Sequence, residues 1–284
     1  MILRFLGTGT SSGVPAIACD CRVCTSTDQR DTRLRAGAAL QFIDSRGQDR
    51  VILIDATPDL RQQALAAKLR RCDAVLFTHN HVDHTFGVDE LRRFNVVQQG
   101  PIEVFADAHT MGHLRRVYQH IFEADRNVND SFVASLLPRL IEPGTSFELF
   151  GLRITPFKLL HGKLPILGYR FDASSREGAT IGGAASLLPL AYCTDVSGIP
   201  PDSWKHLRGL RTLVLDALRH RRHPTHFTLG EATSVAHEVG AAQTYFVHMS
   251  HDVSHEETDA ELPETMHLAY DGLVLGESLG LTAP

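Results

Sequence analysis

Ala74-Val75-Leu76-Phe77-Thr78-His79-Asn80-His81-Val82-Asp83-His84 is the stretch that decides the fold. Its opening four residues are apolar, and a short apolar run of this kind predicts a strand. The six residues from His79 to His84 then carry three imidazoles and one carboxylate, while Asn80, a poor metal donor, serves to turn the backbone. A single divalent ion needs only about three protein ligands plus an open position for water. Four donors here, joined by others from farther along the chain, exceed one ion's share. His79 and His81 are two apart, so in an extended segment both rings project to one side. Asp83 and His84, adjacent in a turn, are then free to face a second ion. Two metals about 3.5–4 Å apart are a recurring device for hydrolysis.

Working outward, the same placement recurs three times. His161 follows the run from Leu152 to Leu160, Asp195 follows Leu188 to Thr194, and His248 follows Thr244 to Val247. Each closes a strand-like segment. Strand ends of one sheet meet along one edge, so donors far apart in sequence converge there, which a loop that merely happens to be rich in histidine does not explain.

The chain has 284 residues, enough to bury a sizeable core, and reads as one hydrolase-type domain over 1–284. Apolar residues make up 43% and charged residues 21%, an ordinary balance for a soluble globular protein. No apolar run approaches the roughly 20 residues of a membrane span, so no membrane partner is expected. Met1 to Leu6, interrupted at once by Gly7 and Gly9, reads as a first strand and not as a signal peptide. The net charge is −5 and the 28 Lys and Arg are dispersed, apart from Arg219, Arg221 and Arg222, which share a segment with His220 and His223. A nucleic-acid partner is therefore not expected, because it asks for a broad basic face. Five cysteines, three of them at Cys19, Cys21 and Cys24, suit a reducing cytoplasm and thiolates held by metal better than a disulfide scaffold. Three thiols so close together lack only one donor to complete the closed tetrahedral site of a structural zinc. Cys72 and Cys193 lie in apolar runs and read as small core residues.

Strands are expected at 2–6, 36–43 and 51–55, a helix beginning at Thr57-Pro58-Asp59, and further helix at 89–97. Residues 110–140 read as mostly helical, with His109 and His113 on a surface helix face. In the second half, strands are expected at 146–160, 167–172, 188–194 and 213–216, followed by a helix over 231–239 capped by Thr228 and Glu231. The segment 173–185 reads as a hairpin loop, and Asp271-Gly272 as a hairpin turn. Two β-then-α halves imply an α/β sandwich in which two sheets are covered by helices on both outer faces. His226, just before a helix, reads equally as a general acid and as a loop residue satisfied by backbone.

The pattern His79-x-His81-x-Asp83-His84 resembles the signature of the metallo-β-lactamase superfamily. Leu6-Gly7-Thr8-Gly9-Thr10, Cys19-x-Cys21-x-x-Cys24, His161 to Pro165, Thr194-Asp195, Leu218-Arg219-His220 with Pro224-Thr225-His226, and Val247 to His251 are similar to its phosphodiesterase branch, which includes the phosphoribosyl cyclic phosphodiesterases. The resemblance covers nearly the whole chain and implies the four-layer αβ/βα fold of the metallo-β-lactamase type. It also implies two catalytic zinc or manganese ions: His79, His81 and His161 on one, Asp83, His84 and His248 on the other, with Asp195 bridging. His251 is implied as the fourth donor of one structural zinc, and Asp83 and His226 as catalytic residues, His226 as general acid. The implied activity is hydrolysis of small phosphodiesters, cyclic ribose esters among them, by a hydroxide bridging the ions. Competing readings are an RNA-processing nuclease of the same superfamily and a non-hydrolytic binding protein similar to the pyrroloquinoline quinone biosynthesis relative. A homodimer is compatible with each of these.

Overall fold

The computed structural model describes residues 1–128, 132–174 and 181–277. In chain order the strands are β1 (Ile2–Gly7), β2 (Gly37–Ile43), β3 (Asp49–Ile54), β4 (Ala74–Leu76), β5 (Ile102–Ala106), β6 (Leu136–Leu140), β7 (Phe147–Leu149), β8 (Leu152–His161), β9 (Leu164–Ala173), β10 (Leu190–Cys193), β11 (Thr212–Asp216), β12 (Gln243–Val247), β13 (Met266–Leu268) and β14 (Val274–Gly276). They form two sheets, ordered β14-β1-β2-β3-β4-β5-β6 and β13-β12-β11-β10-β9-β8-β7. Antiparallel pairing at one end of each sheet passes into parallel pairing, β3 to β6 in the first and β10 to β13 in the second.

The period-2 alternation of apolar residues sorts each strand between two cores. In β3, Ile52 and Ile54 point into the core between the sheets, whereas Val51 and Leu53 face outward. Residues of the helices Leu60–Ala66, Arg92–Gln98 and Ala108–Val117 cover that outer face, through Leu60, Phe94, Met111 and Leu114. In β11, Val214 points inward, while Leu213 and Leu215 pack with Leu229, Ala232 and Ala236 of the helix Leu229–Val239. The result is a four-layer αβ/βα sandwich, as the sequence leads one to expect. Each fully buried Leu or Ile in these layers is worth roughly 1.5–3 kcal/mol relative to exposure.

Five local expectations are corrected. Residues 110–140 are helical only in their first half: α-helix ends at Phe122, a 3-10 turn follows at Ala124–Arg126, and Leu136–Leu140 is a strand parallel to β5. That strand sits at a sheet edge with Pro138 in it and most of its side chains half-buried or exposed, so it lacks an alternating pattern. The expected strand over 146–160 is divided into β7 and β8 by Phe150 and Gly151, both at positive φ. Asp271-Gly272 does turn the chain, with Gly272 at φ 88°, but it carries the chain from the second sheet to the first and is not a hairpin. The helix predicted from residue 57 begins at Leu60 behind Asp59, and the later helix begins at Leu229, its capping box of Thr228 and Glu231 fully formed. Of the predicted loop 173–185, residues 175–180 lie outside the described residues; Ala184–Ser186 is a single 3-10 turn.

Candidate metal centre

The strand ends of both sheets meet at one edge of the sandwich, and the donors collect there. His79 and His81 lie on the extended exit from β4, and His81 precedes the short helix Val82–Thr85. That helix, where a turn was expected, carries Asp83 and His84 inward, leaving Val82 exposed. His161 ends β8. Asp195 and His248 leave β10 and β12 in the left-handed backbone region, at φ 59° and 63°, and Asp55 does the same after β3 at φ 65°. Non-glycine residues rarely adopt this region and pay roughly 1–3 kcal/mol for it, a strain characteristic of functional sites.

One donor group consists of His79, His81 and His161, and a second of Asp83, His84, Asp195 and His248, the ligand atoms within each lying within 4.8 Å of one another. Asp195 reaches both: its Oδ1 is 3.2 Å from His84 Nε2, and its Oδ2 is 3.3 Å from His248 Nε2 and 3.9 Å from His79 Nε2. Asp83 Oδ2 is 3.3 Å from His84 Nε2. All seven residues except His81 are buried.

The imidazoles are oriented from behind. His84 Nδ1 pairs with Asp55 Oδ2 at 2.7 Å, His79 Nδ1 with Thr78 Oγ1 at 3.0 Å, and His161 Nδ1 donates to the Thr225 and Asp195 carbonyls at 2.8 and 3.0 Å. Partners of this kind fix which ring nitrogen is left for a metal. The Nε2 atoms of His79, His84 and His248 are buried and hydrogen-bonded to nothing in the protein. Buried nitrogens in that condition are costly unless something else satisfies them. A divalent cation does so, and the donor set fits one.

Charge in the centre leads to the same conclusion. Burial works against ionisation of Asp195 and Asp83, yet the neighbouring histidines hold both well below the usual carboxylate range. Burial also opposes the His84 and His248 imidazoliums, but the carboxylates of Asp195 and Asp83 outweigh it, raising His84 well above its ordinary value and His248 to about 9. Burial lowers His79, and takes His161 down to about 4. The carboxylates thus favour positive charge beside them, which a divalent cation supplies as its ligands give up protons.

His226 stands at the rim. Its ring lies 4.6 Å from that of His161 and stacks on His248 at 4.7 Å. Its Nδ1 is bonded to Asp216 Oδ2 at 2.9 Å, and Asp216, fully buried at the end of β11, also accepts the Val196 N–H. The other oxygen of Asp216 faces His248 Nδ1 at 3.7 Å. Asp55 and Asp216 are therefore buried carboxylates, each paired with an imidazole of the site, that ligand spacing alone did not identify. Both close apolar strands, the same placement that singled out Asp195. Of the basic segment, His223 approaches His226, with ring centres 5.2 Å apart, while Arg219 folds back onto the carbonyls of Arg221 and Arg222.

Cys19, Cys21, Cys24 and His251 form a separate group, with the three Sγ atoms 3.1, 3.4 and 3.6 Å from His251 Nδ1. The Cys24 backbone N–H is the main cause of a Cys21 thiol lowered to about 6, whereas burial raises Cys24 to about 11. None of the five cysteines is in a disulfide; Cys72 and Cys193 are buried in the outer cores. Among the described residues no helix is long and apolar enough to cross a membrane.

A sandwich of this topology with its donors on one edge defines a metal-site protein of the metallo-β-lactamase fold. The chain belongs to the family described as the Beta-lactamase superfamily domain, which it matches over residues 50–249. A solved structure of a new diphosphatase from the PhnP family is 39% identical, with a TM-score of 0.83, covering 97% of this chain and 96% of that one. An octanoyltransferase of Porphyromonas gingivalis is 34% identical over 272 residues, 94% of this chain but 50% of that protein, so the chain spans half the length of that relative. Coenzyme PQQ synthesis protein B of Methylorubrum extorquens is 31% identical over 233 residues, 76% of this chain and 72% of that protein.

Proposed function

We propose that this protein is a dinuclear metal-dependent hydrolase of small phosphodiesters, with His226 as the proton donor to the leaving group. The observation that carries the reading is the placement of His226, tied through Nδ1 to a buried carboxylate beside seven converging donors. In the proposal His79, His81 and His161 would hold one ion and Asp83, His84 and His248 the other, with Asp195 within reach of both; Cys19, Cys21, Cys24 and His251 would hold a structural zinc. Two divalent ions, zinc or manganese, supply Lewis acidity toward phosphate oxygens and activation of water when bound.

The chain's own residues supply the remaining parts of the mechanism. Asp216 fixes the His226 tautomer, leaving Nε2 to donate to an oxygen departing from phosphorus. An alkoxide is a poor leaving group, so a positioned imidazolium has most to contribute there. Asp55 holds the His84 ring in register, and burial of the donors keeps bulk water from competing for the site. The diphosphatase relative, which also takes its name from phosphorus chemistry, supports the reading. The names octanoyltransferase and PQQ synthesis protein B point elsewhere, but the first describes a protein twice the matched length. A complete donor set favours an enzyme over a non-hydrolytic binding protein, and a small substrate suits the absence of a broad basic face.

The test is a panel of metal-loaded wild-type protein against a cyclic ribose phosphodiester, a linear dialkyl phosphodiester, a nucleoside diphosphate, single-stranded RNA, and an octanoyl thioester. Turnover fastest on a small phosphodiester supports the proposal. Rapid thioester cleavage with inert phosphodiesters refutes it, and a preference for RNA replaces it with the nuclease reading.

A further inference from the structure

On the outer face of the first sheet a groove runs between the helices Leu60–Ala66 and Arg92–Gln98, and none of its walls is a donor residue. It encloses about 510 Å³, inside the range of pockets that take small molecules. Its interior is apolar, formed by Leu60, Ala64, Leu69 and Phe94. Leu65 and Phe132, 63% and 61% exposed, stand at its edges, and covering such surface is favourable by roughly 25 cal/mol per Å².

The charges at the rim are unevenly matched. Arg92 is held by Asp89 at 2.9 Å, but Arg61 and Arg93 have no ion pair or hydrogen-bond partner among the described residues. Glu90 is the single carboxylate among the lining residues. An apolar trough with two unpaired guanidiniums at its lip complements a ligand with a hydrocarbon chain and an anionic head, since Arg presents a planar fork that matches a carboxylate. A neutral apolar ligand leaves the guanidiniums unused, and a purely polar anion leaves the trough uncovered.

We propose that this groove is a binding site for a small amphiphilic carboxylate, its chain lying between the two helices and its head between Arg61 and Arg93. The site is separate from the hydrolytic centre and independent of which reaction that centre performs.

The test uses the metal-loaded full chain and isothermal titration with decanoate, butyrate and decyltrimethylammonium. Decanoate binds, butyrate binds at least tenfold more weakly because it leaves the trough uncovered, and the cationic amphiphile does not bind. The double variant Arg61→Glu with Arg93→Glu, both positions exposed, weakens decanoate at least tenfold with melting temperature and metal content unchanged. Ala64→Trp, which fills the trough, abolishes binding; Leu65→Ala, which leaves the trough open, retains it and guards against a folding failure of the bulky variant. Equal binding of the cationic amphiphile, or decanoate binding that survives both charge reversal and filling of the trough, overturns the proposal. The latter result places the carboxylate on the metal ions instead.

Discussion

The seven-donor centre and the cysteine cluster share the segment His248 to His251, yet the protein holds them in opposite ways. In the centre almost every donor is buried, and three of the imidazoles are braced from behind: His84 by Asp55, His79 by Thr78 and His161 by two carbonyls. The cysteine cluster has only a small packed group around it, chiefly Val14 and Val23, and Cys19 and Cys21 are half-exposed. On the proposed reading the fold organises the first site, while the second, as a zinc clip, would help to organise the fold. Between them Met249, fully buried, donates its N–H to the Thr8 carbonyl and accepts from the Thr10 N–H, so the segment that follows β1 is anchored where the two sites meet. Damage to the centre should therefore cost chemistry, and damage to the clip should cost stability.

The largest expected effect breaks the centre. Asp195→Ala removes the carboxylate that reaches both donor groups, and phosphodiester hydrolysis should fall on the order of 10³-fold or more with the fold intact. A loss under tenfold, measured on protein whose circular dichroism is unchanged, contradicts the assignment of Asp195.

Next is the rim. His226→Ala should lose about 10²–10⁴-fold on an alkyl or ribosyl phosphodiester. On a p-nitrophenyl ester, whose leaving group departs without a proton, the loss should be much smaller. Equal losses on both esters, with metal retained, make His226 a positioning or binding residue.

The clip is expected to respond differently. Cys21→Ser should remove about one zinc per chain and lower the melting temperature by roughly 5–10 °C, on the order of 2–3 kcal/mol, while sparing most of the catalytic rate. A variant with unchanged zinc and melting temperature, but lost activity, reverses the comparison.

The smallest effect concerns Asp271, near the same junction, whose carboxylate accepts from Thr8 Oγ1 and the Leu34 N–H. Burial is the main cause of its rise to about 6. A carboxyl whose folded value lies above its unfolded value binds more protons when folded, so stability falls as pH rises between the unfolded value and about 6. Denaturant melts of Asp271→Asn should show a shallower decline than wild type across that window. Parallel curves rule out titration of Asp271 as the source.

Much of this architecture was legible in the residues. The run into His79 and the donors closing three later strands pointed to one sheet edge, because period-2 strands with polar termini leave few alternatives. What sequence could not supply was the support behind the donors. Asp55 and Asp216 read simply as ends of strands, since a carboxylate that orients an imidazole needs no fixed spacing from it. The β6 strand escaped because an edge strand with exposed Leu137 and Leu140 carries no alternation. Division of β7 from β8 depended on Phe150 at φ 51°, a conformation its residue type does not advertise. Separation of His248 from His251 was equally out of reach of spacing and follows from the left-handed turn at His248.

The most direct test of the central claim is metal stoichiometry and phosphodiesterase turnover measured on the same samples of wild type and Asp83→Ala. Three metals per wild-type chain, falling toward two in the variant with hydrolysis severely reduced and the melting temperature nearly unchanged, is the predicted result. A fully active Asp83→Ala protein, or a wild-type chain that hydrolyses phosphodiesters with one metal or none, contradicts the two-metal account.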